Sequence, residues 1–406
     1  MRILLSLALR NVFRHRSRSA FTVLAIGFGV LMSLLLGSVV FGLGDLMLGD
    51  VVHGKVGALQ VHKRGYDDVK ENLPIDRDLP ADGTLEAKIR AVPGVTGLTG
   101  RILFAGILSN GATSTFVLGN GQDPQGEYKV LPLADRGLVG QRLSIDKPSG
   151  AVVGYELASA MGVKTGGTLT IQAANRGGQQ NALDLDVSGT INNNSPLESK
   201  RVVYLPLAYA QDLLDMKGRV TEFAVSIADI ERVDEVAAVL QRRLGPGYHV
   251  QTWKELRPQM VDILQVQKVL LLSVCFVFLI IAVIGVINTM LMSVLERTRE
   301  IGTMMAVGVR RGFVVVLFLL EALTLALLGA ASGAIGAYGI IALVVARGGI
   351  PASPPGSTAV ITLLPSVPVW LLAVAVVATT LGVLAAAAYP SFRASRLRPV
   401  EALRAI

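Results

Sequence analysis

The sequence predicts a membrane protein of four transmembrane α-helices, one and then three, with a large extracytoplasmic α+β domain inserted between the first and second. Three observations predict it. First, 51% of the 406 residues are hydrophobic and mean hydropathy is +0.54, above the norm for soluble domains. Second, the apolar residues gather in four blocks, 20–44, 269–294, 312–346 and 367–389, each long enough for the ~20 residues a bilayer span needs. Third, the charges are sorted: residues 45–265 carry 23 Lys and Arg against 26 Asp and Glu, and the remainder carries 15 against 4.

Thirteen of those 15 cations fall in three places. They are Arg2, Arg10, Arg14, Arg16 and Arg18; Arg297, Arg299, Arg310 and Arg311; and Arg393, Arg396, Arg398 and Arg404. If the spans alternate, all three clusters lie on one side, which the positive-inside rule makes cytoplasmic. This predicts a multi-pass protein with both termini in the cytoplasm. The net charge of +8 then reflects topology, and no nucleic-acid partner is expected.

Residues 1–19 read as a basic amphipathic cytoplasmic segment. The block 20–44 is an uncleaved anchor, because its apolar run exceeds the ~7–15 residues of a signal core and lacks an A-x-A site. Within 45–268, alternation predicts strands at Val56–His62, Thr115–Leu118, Thr168–Ala173, Asp184–Thr190, Arg201–Leu205 and Glu222–Ile227. Helical spacing predicts helices at Thr84–Ala91, Tyr155–Met161, Leu207–Asp215 and Val233–Leu244, with turns such as Pro93-Gly94 and Gly245-Pro246-Gly247 between elements. The second span, 269–294, holds the single cysteine, Cys275, read as a packing residue. A charged hairpin at 295–311 leads to the third span, 312–346. A short outer loop, 347–366, leads to the fourth, 367–389. Pro390 is expected to end that span, with the arginines of the tail 390–406 reaching the inner headgroups. The segment Pro399–Leu403 reads either as a short partner-binding helix or as plain membrane stop.

Catalytic chemistry is not in evidence. A phosphate-binding loop needs G-x-x-x-x-G-K-[ST], but Gly54-Lys55 is followed by Val56, and Lys164-Thr165-Gly166-Gly167 lacks the leading glycine. His15, His53, His62 and His249 are scattered, with no spacing of a ligand set, and no G-x-S-x-G elbow occurs. No catalytic residue, cofactor or metal is expected, and ATP hydrolysis, if the protein depends on it, is expected in another chain.

The most informative stretch is Asn288–Gly312, NTMLMSVLERTREIGTMMAVGVRRG. Its apolar run ends at Ser293, four charges follow by Glu300, and an amphipathic turn spans Ile301–Val309. A short rigid element between two membrane helices transmits a push that a floppy linker absorbs. Ile301, Met304 and Met305 supply an apolar face; Glu296, Arg297, Arg299 and Glu300 offer ion pairs; Gly302 and Gly308 permit sharp entry and exit. The plain alternative is a solvated loop. Glu321, inside the third span, reads as helix packing or as a proton carrier, since acids in membranes are costly. Gly329 and Gly333, continued by Gly336 and Gly339 and echoed by Gly27 and Gly29, form small faces for packing within the chain or between two chains.

The run E-R-T-R-E-I-G-x-M-x-A-x-G from Glu296 to Gly308 resembles the coupling-helix loop of the ABC permeases of the MacB, Lol and FtsX superfamily. The approach LALRNVFRHRSRSAFTVLAIGFGV, the segments VVGYELASAMGVKTGGTLTI and SKRVVYLPLAYAQDLL, and the tail YPSFRASRLRPVEALR are similar to it as well. GALQVHKRGYDD leans to the Lol branch. The resemblance implies a β-rich lobe at 132–206 inserted in a split α/β lobe, 45–131 and 207–265. It also implies a cytoplasmic ABC ATPase subunit gripping Glu296–Gly308, a second permease subunit of the same or a related chain, a periplasmic carrier or adaptor, and contact with membrane lipid. Release of lipoproteins or another lipophilic cargo from the inner membrane is the first function it implies. The alternatives are MacB-like efflux of drugs or peptides with an adaptor and outer-membrane channel, and FtsX-like activation of a cell-wall hydrolase without transport.

Overall fold

A computed structural model describes residues 16–66, 73–192, 196–352 and 361–396, together with Arg10. The expectations for Arg2, Arg14, His15, Arg398, Arg404 and Pro399–Leu403 lie outside these residues. The chain divides into two compact units. One comprises Met1–Gly44, Ile263–Ile350 and Thr362–Ile406, the other Asp45–Asp262 with Pro351–Ile361.

The helices Arg16–Gly54, Pro258–Glu296, Arg311–Ala346 and Val369–Ser395 are long and apolar enough to cross a membrane. The protein is thus a multi-pass membrane protein with the predicted order, one span, a large domain, then three spans. The first two helices have 39 residues each, about 58 Å at 1.5 Å per residue, well beyond a hydrocarbon core of about 30 Å. All four feed one core, in which Ile26, Val286, Phe318 and Val383 are buried together.

Pro390 does not end the fourth helix, which runs on to Ser395. A proline ring forfeits one intrahelical bond. In the same turn the Ser391 hydroxyl donates to the Ala387 carbonyl at 2.5 Å.

The second unit is built on one ten-stranded sheet. Its strands are β1 (Leu59–Lys63), β3 (Val95–Ser109), β4 (Ser114–Gln122), β5 (Leu138–Gly140), β6 (Gly150–Gly154), β7 (Thr168–Ala174), β8 (Gln180–Ile191), β9 (Val202–Pro206), β11 (Glu222–Ile227) and β12 (Tyr248–Thr252), while β2 (Leu79–Pro80) and β10 (Arg219–Val220) pair apart. The order is β12-β1-β11-β3-β4-β9-β6-β8-β5, with β7 bridging β3 and β8. Pairing is antiparallel except β4 with β9 and β6 with β8. Helices α1 (Thr84–Arg90), α2 (Gly126–Val130), α3 (Tyr155–Ala160), α4 (Leu207–Leu214) and α5 (Val233–Leu244) complete the unit.

Local chemistry accounts for these elements. Helix α5 buries Val233, Val236 and Leu240 at helical spacing and carries Asp234 and Glu235 in its first turn and Arg242 and Arg243 in its last, matching its dipole. It stops at Gly245, which has φ of +81°, a conformation glycine adopts freely. Strand β3 turns Ile102, Phe104 and Leu108 into the core. Opposite Phe104 stands Gly119, where the aromatic ring fills the space a Cβ would need.

Two buried ion clusters fasten the domain. Arg101 on β3 is 3% exposed. Its Nε donates to Glu127 Oε1 at 2.9 Å, and Nη1 donates to the Lys55 carbonyl at 2.6 Å and reaches Glu222 at 3.5 Å. Burial works to lower the Arg101 pKa, but the charge and hydrogen bond of Glu127, with Glu222, more than offset it and hold the guanidinium above its ordinary value. Asp78 ties the β2–β10 ribbon down through Arg219, with Nη2 to Oδ1 at 2.6 Å, and lies 3.2 Å from Arg176.

Candidate functional site

The hairpin between the second and third spans is short and almost wholly helical. The second span closes at Glu296, and a new helix, Thr298–Ala306, begins after the single residue Arg297. The Arg297 amide donates to the Ser293 carbonyl at 3.2 Å, and the Ile301 amide to the Arg297 carbonyl at 2.9 Å, so the junction keeps its backbone bonds. At the other end Gly308 takes φ of +98°. The amides of Gly308 and Val309 donate to the Met305 and Met304 carbonyls, each at 3.1 Å. This is a left-handed glycine C-cap, and three residues later the third span is under way. The construction leaves little slack.

Side chains bind this hairpin to two other spans. Arg18, at the start of the first helix, grips Glu296 with both nitrogens of its fork, Nη1 to Oε2 measuring 2.6 Å. Four residues deeper, Thr22 donates to Thr289 at 2.9 Å. Arg297 pairs with Glu300 at 3.2 Å and with Glu321 of the third span at 3.4 Å. Glu321 is 7% exposed, and its carboxylate is satisfied by a cation from the hairpin.

The hairpin helix turns its apolar face inward. Ile301 is 1% exposed within the membrane-unit core, and Met304 and Met305 pack against that core. The sequence pattern identified the face but offered it, with Glu296 and Arg297, to a partner. In the structure these five side chains engage their own chain. Arg299, Thr303 and Ala306, at helical spacing, point outward together with Val307, which is 87% exposed. Thr303 and Ala306 were not singled out from sequence. Spacing alone marks a face opposite the apolar one, and only the fold says which is covered.

The glycines of the third span meet the first. A Cβ on Gly329 would lie 2.6 Å from the Ile26 Cβ, one on Gly27 would lie 2.7 Å from Ser332 Oγ, and Gly333 faces the Gly27 carbonyl. Close backbone approach at small residues holds helices together in lipid. Gly339 stands in open space and takes no part.

The sheet brings His62 and His249 together as cross-strand partners on β1 and β12, a pairing that sequence separation hides. His62 stacks on Tyr66 with centroids 4.6 Å apart. Among the described residues no three potential ligands gather to hold a metal.

With this geometry established, comparison places the chain among known proteins. Residues 19–243 match the family model of the MacB-like periplasmic core domain, and residues 272–399 match that of the FtsX-like permease C-terminal region. The chain is similar to the macrolide export ATP-binding/permease protein MacB of Escherichia coli, 33% identical over 149 residues, covering 35% of this chain and 23% of that protein. It is 36% identical over 181 residues to the protein of the same name from Syntrophobacter fumaroxidans, covering 44% of this chain and 23% of that one. The matched stretch thus spans about a quarter of these curated relatives, at 23% in both cases. Among solved structures it is similar to the periplasmic region of MacB from Actinobacillus actinomycetemcomitans, with a TM-score of 0.35 and 14% identity, covering 50% of this chain and 92% of that one. The lean of residues 57–68 toward the Lol branch finds no support among these relatives.

Proposed function

The chain belongs to the MacB/FtsX superfamily of membrane permeases, and on that premise we propose that it is the permease of an ABC exporter of MacB-like type. An ATPase on a partner chain drives it from the cytoplasmic side, and its outer domain meets the cargo. Both termini and the hairpin lie in the cytoplasm of a bacterial inner membrane, by the arginine asymmetry. A second permease chain completes the assembly, and a periplasmic adaptor receives cargo from the outer domain, whose parts 45–131, 207–265 and 132–206 act as two lobes of one mechanical body.

One observation carries the reading. The hairpin helix is clamped to the first span through Glu296 and to the third through Arg297, and it presents Arg299, Thr303, Ala306 and Val307 outward. A push on that outer face reaches three spans at once. Glu296, Arg297, Ile301, Met304, Met305 and Gly308 transmit the push; Arg299 and Glu300 receive it. Glu321, Gly329 and Gly333 keep the spans packed while it passes.

The relatives are macrolide export proteins, which favours export of a small amphiphile of macrolide-like character over lipoprotein release, which no observation favours. The test is co-purification of the full chain from its native membranes with an ABC ATPase, and ATP hydrolysis by the pair in nanodiscs. Wild type is expected to retain the ATPase, and Arg299→Glu with Val307→Asp to lose it while still reaching the membrane. Retention of no ATPase by wild type overturns the reading.

A further inference from the structure

The third and fourth spans run antiparallel, in a register shown by what they bury together. Val314 and Ala394 lie in one core cluster, and Ala337 and Leu371 lie in another. The opening residues of the third span therefore stand beside the closing residues of the fourth. Arg310 and Arg311 flank that end from one helix, and Arg393 and Arg396 from the other. All four are exposed, and among the described residues none of them makes an ion pair. The carboxylates towards the same end are engaged by other arginines, Glu296 by Arg18, and Glu300 and Glu321 by Arg297.

The last turns of the fourth span have two distinct faces. Pro390, Ser391, Ala394 and Ser395 are buried. Tyr389, Phe392, Arg393 and Arg396 follow the spacing i, i+3, i+4, i+7, which gathers them on one side of a helix. That side is exposed, Tyr389 at 61% and Phe392 at 56%. Leu381 and Ala385 carry it on towards the middle of the span. Exposed aromatics near a span end settle at headgroup level, between hydrocarbon and water, so the arginines just beyond them stand among lipid phosphates.

A lone arginine at a span end snorkels to whatever headgroup is near. Four arginines from two helices, without a carboxylate to neutralise them, instead make a local positive potential that an anionic headgroup matches better than a zwitterionic one. A free phosphate would answer the charge alone. The aromatic and apolar side below the arginines calls for an acyl chain as well.

We infer that the paired ends of the third and fourth spans bind an anionic phospholipid, its phosphate held by Arg310, Arg311, Arg393 and Arg396 and an acyl chain laid along Phe392, Tyr389 and Leu381. The inference rests on the membrane helices and is independent of the export reading.

The test is native mass spectrometry of the full chain in detergent, delipidated and then offered dioleoyl phosphatidylglycerol and dioleoyl phosphatidylcholine in equal amounts. Wild type is expected to retain phosphatidylglycerol in preference by about tenfold or more. Arg393→Gln with Arg396→Gln is expected to lower that preference about tenfold while melting like wild type. Should that pair of changes impair folding, Arg310→Gln with Arg311→Gln carries the same expectation. Tyr389→Ala with Phe392→Ala is expected to weaken phosphatidylglycerol retention, and Arg347→Gln, an exposed arginine at the opposite end of the third span, to leave it unchanged. Equal retention of the two lipids by wild type, a preference that survives loss of either arginine pair, or one that falls as far in Arg347→Gln overturns the inference. Displacement of the lipid by inorganic phosphate at the same concentration would mark a free-anion site and overturns it too.

Discussion

Arg18 and Glu296 lie 278 residues apart and bind each other through a two-pronged ion pair that joins the start of the first span to the end of the second. The two side chains are 29% and 37% exposed, so water and salt screen the attraction, and pairs of this kind contribute about 0–1 kcal/mol. What the pair supplies is a fixed geometry between two helix ends rather than stability. Arg18→Ala is therefore expected to leave the melting temperature of the purified protein nearly unchanged while lowering ATP hydrolysis by the assembled pair. The exchange Arg18→Glu with Glu296→Arg is expected to restore part of that activity. A large loss of thermal stability in Arg18→Ala would show that the pair is structural instead.

The seam between the first and third spans predicts a sharp contrast between neighbouring glycines. Gly329→Val places new atoms where Ile26 already stands at 2.6 Å from the Cβ position, and overpacking of this kind costs about 1–3 kcal/mol. Gly339→Val meets nothing within 4 Å. Melting in detergent is expected to drop for the first and hold for the second. Equal behaviour would mean that the seam does not pack as described.

Arg101 is the cation between two buried carboxylates, Glu127 at 0% and Glu222 at 1% side-chain exposure. Arg101→Met removes the cation that both charges share, and breaking such a cluster from one side costs about 3–5 kcal/mol. The expected outcome is a chain that expresses poorly and melts early, with partial recovery when Glu127→Leu is added. Recovery distinguishes uncompensated charge from lost packing.

Glu198 gives the domain a predictable pH response. Burial works to raise its carboxyl, but the charge and 2.7 Å hydrogen bond of Lys55, with Arg257 beyond, hold it below the usual carboxylate range. A carboxylate whose folded pKa is depressed contributes stability that is fully present above its unfolded value of about 4.3 and lost as pH falls through the lower folded value. The melting-temperature gap between wild type and Glu198→Gln is thus expected to be constant from about pH 6 to 8 and to close below about pH 4. A gap that widens on acidification contradicts the pairing.

The legible parts of the fold were those whose pattern is local. The four spans needed only run length and charge. Strands such as Glu222–Ile227 and helices such as Val233–Leu244 kept clean periods from end to end. The longest strand, Val95–Ser109, escaped notice because Gly97, Gly100 and Gly106 interrupt its alternation and because its second face grades from Arg101 to Ile107 instead of staying polar. Pro390 was read as a stop because its local rule is strong, yet the helix absorbs the one lost bond and runs on to Ser395. At the hairpin the sequence marked the charged residues and the apolar face. It could not assign their partners, because Arg18 and Glu321 reach the hairpin only after the spans have packed.

Ile301 and Val307 sit six residues apart on the same short hairpin, yet they predict opposite phenotypes. Ile301 is 1% exposed among residues from the second, third and fourth spans, and truncating a buried isoleucine costs about 2–5 kcal/mol. Ile301→Ala is therefore expected to lower the melting temperature of the permease alone, with any loss of ATPase binding following from that. Val307 is 87% exposed, and a substitution there away from packing stays within about ±0.5 kcal/mol. Val307→Asp is expected to melt like wild type and to lose ATPase association. If Val307→Asp keeps the ATPase while Ile301→Ala folds normally and releases it, the inward and outward faces of the hairpin have been assigned the wrong way round. The transmitting surface would then have to be sought on the methionine side of the helix.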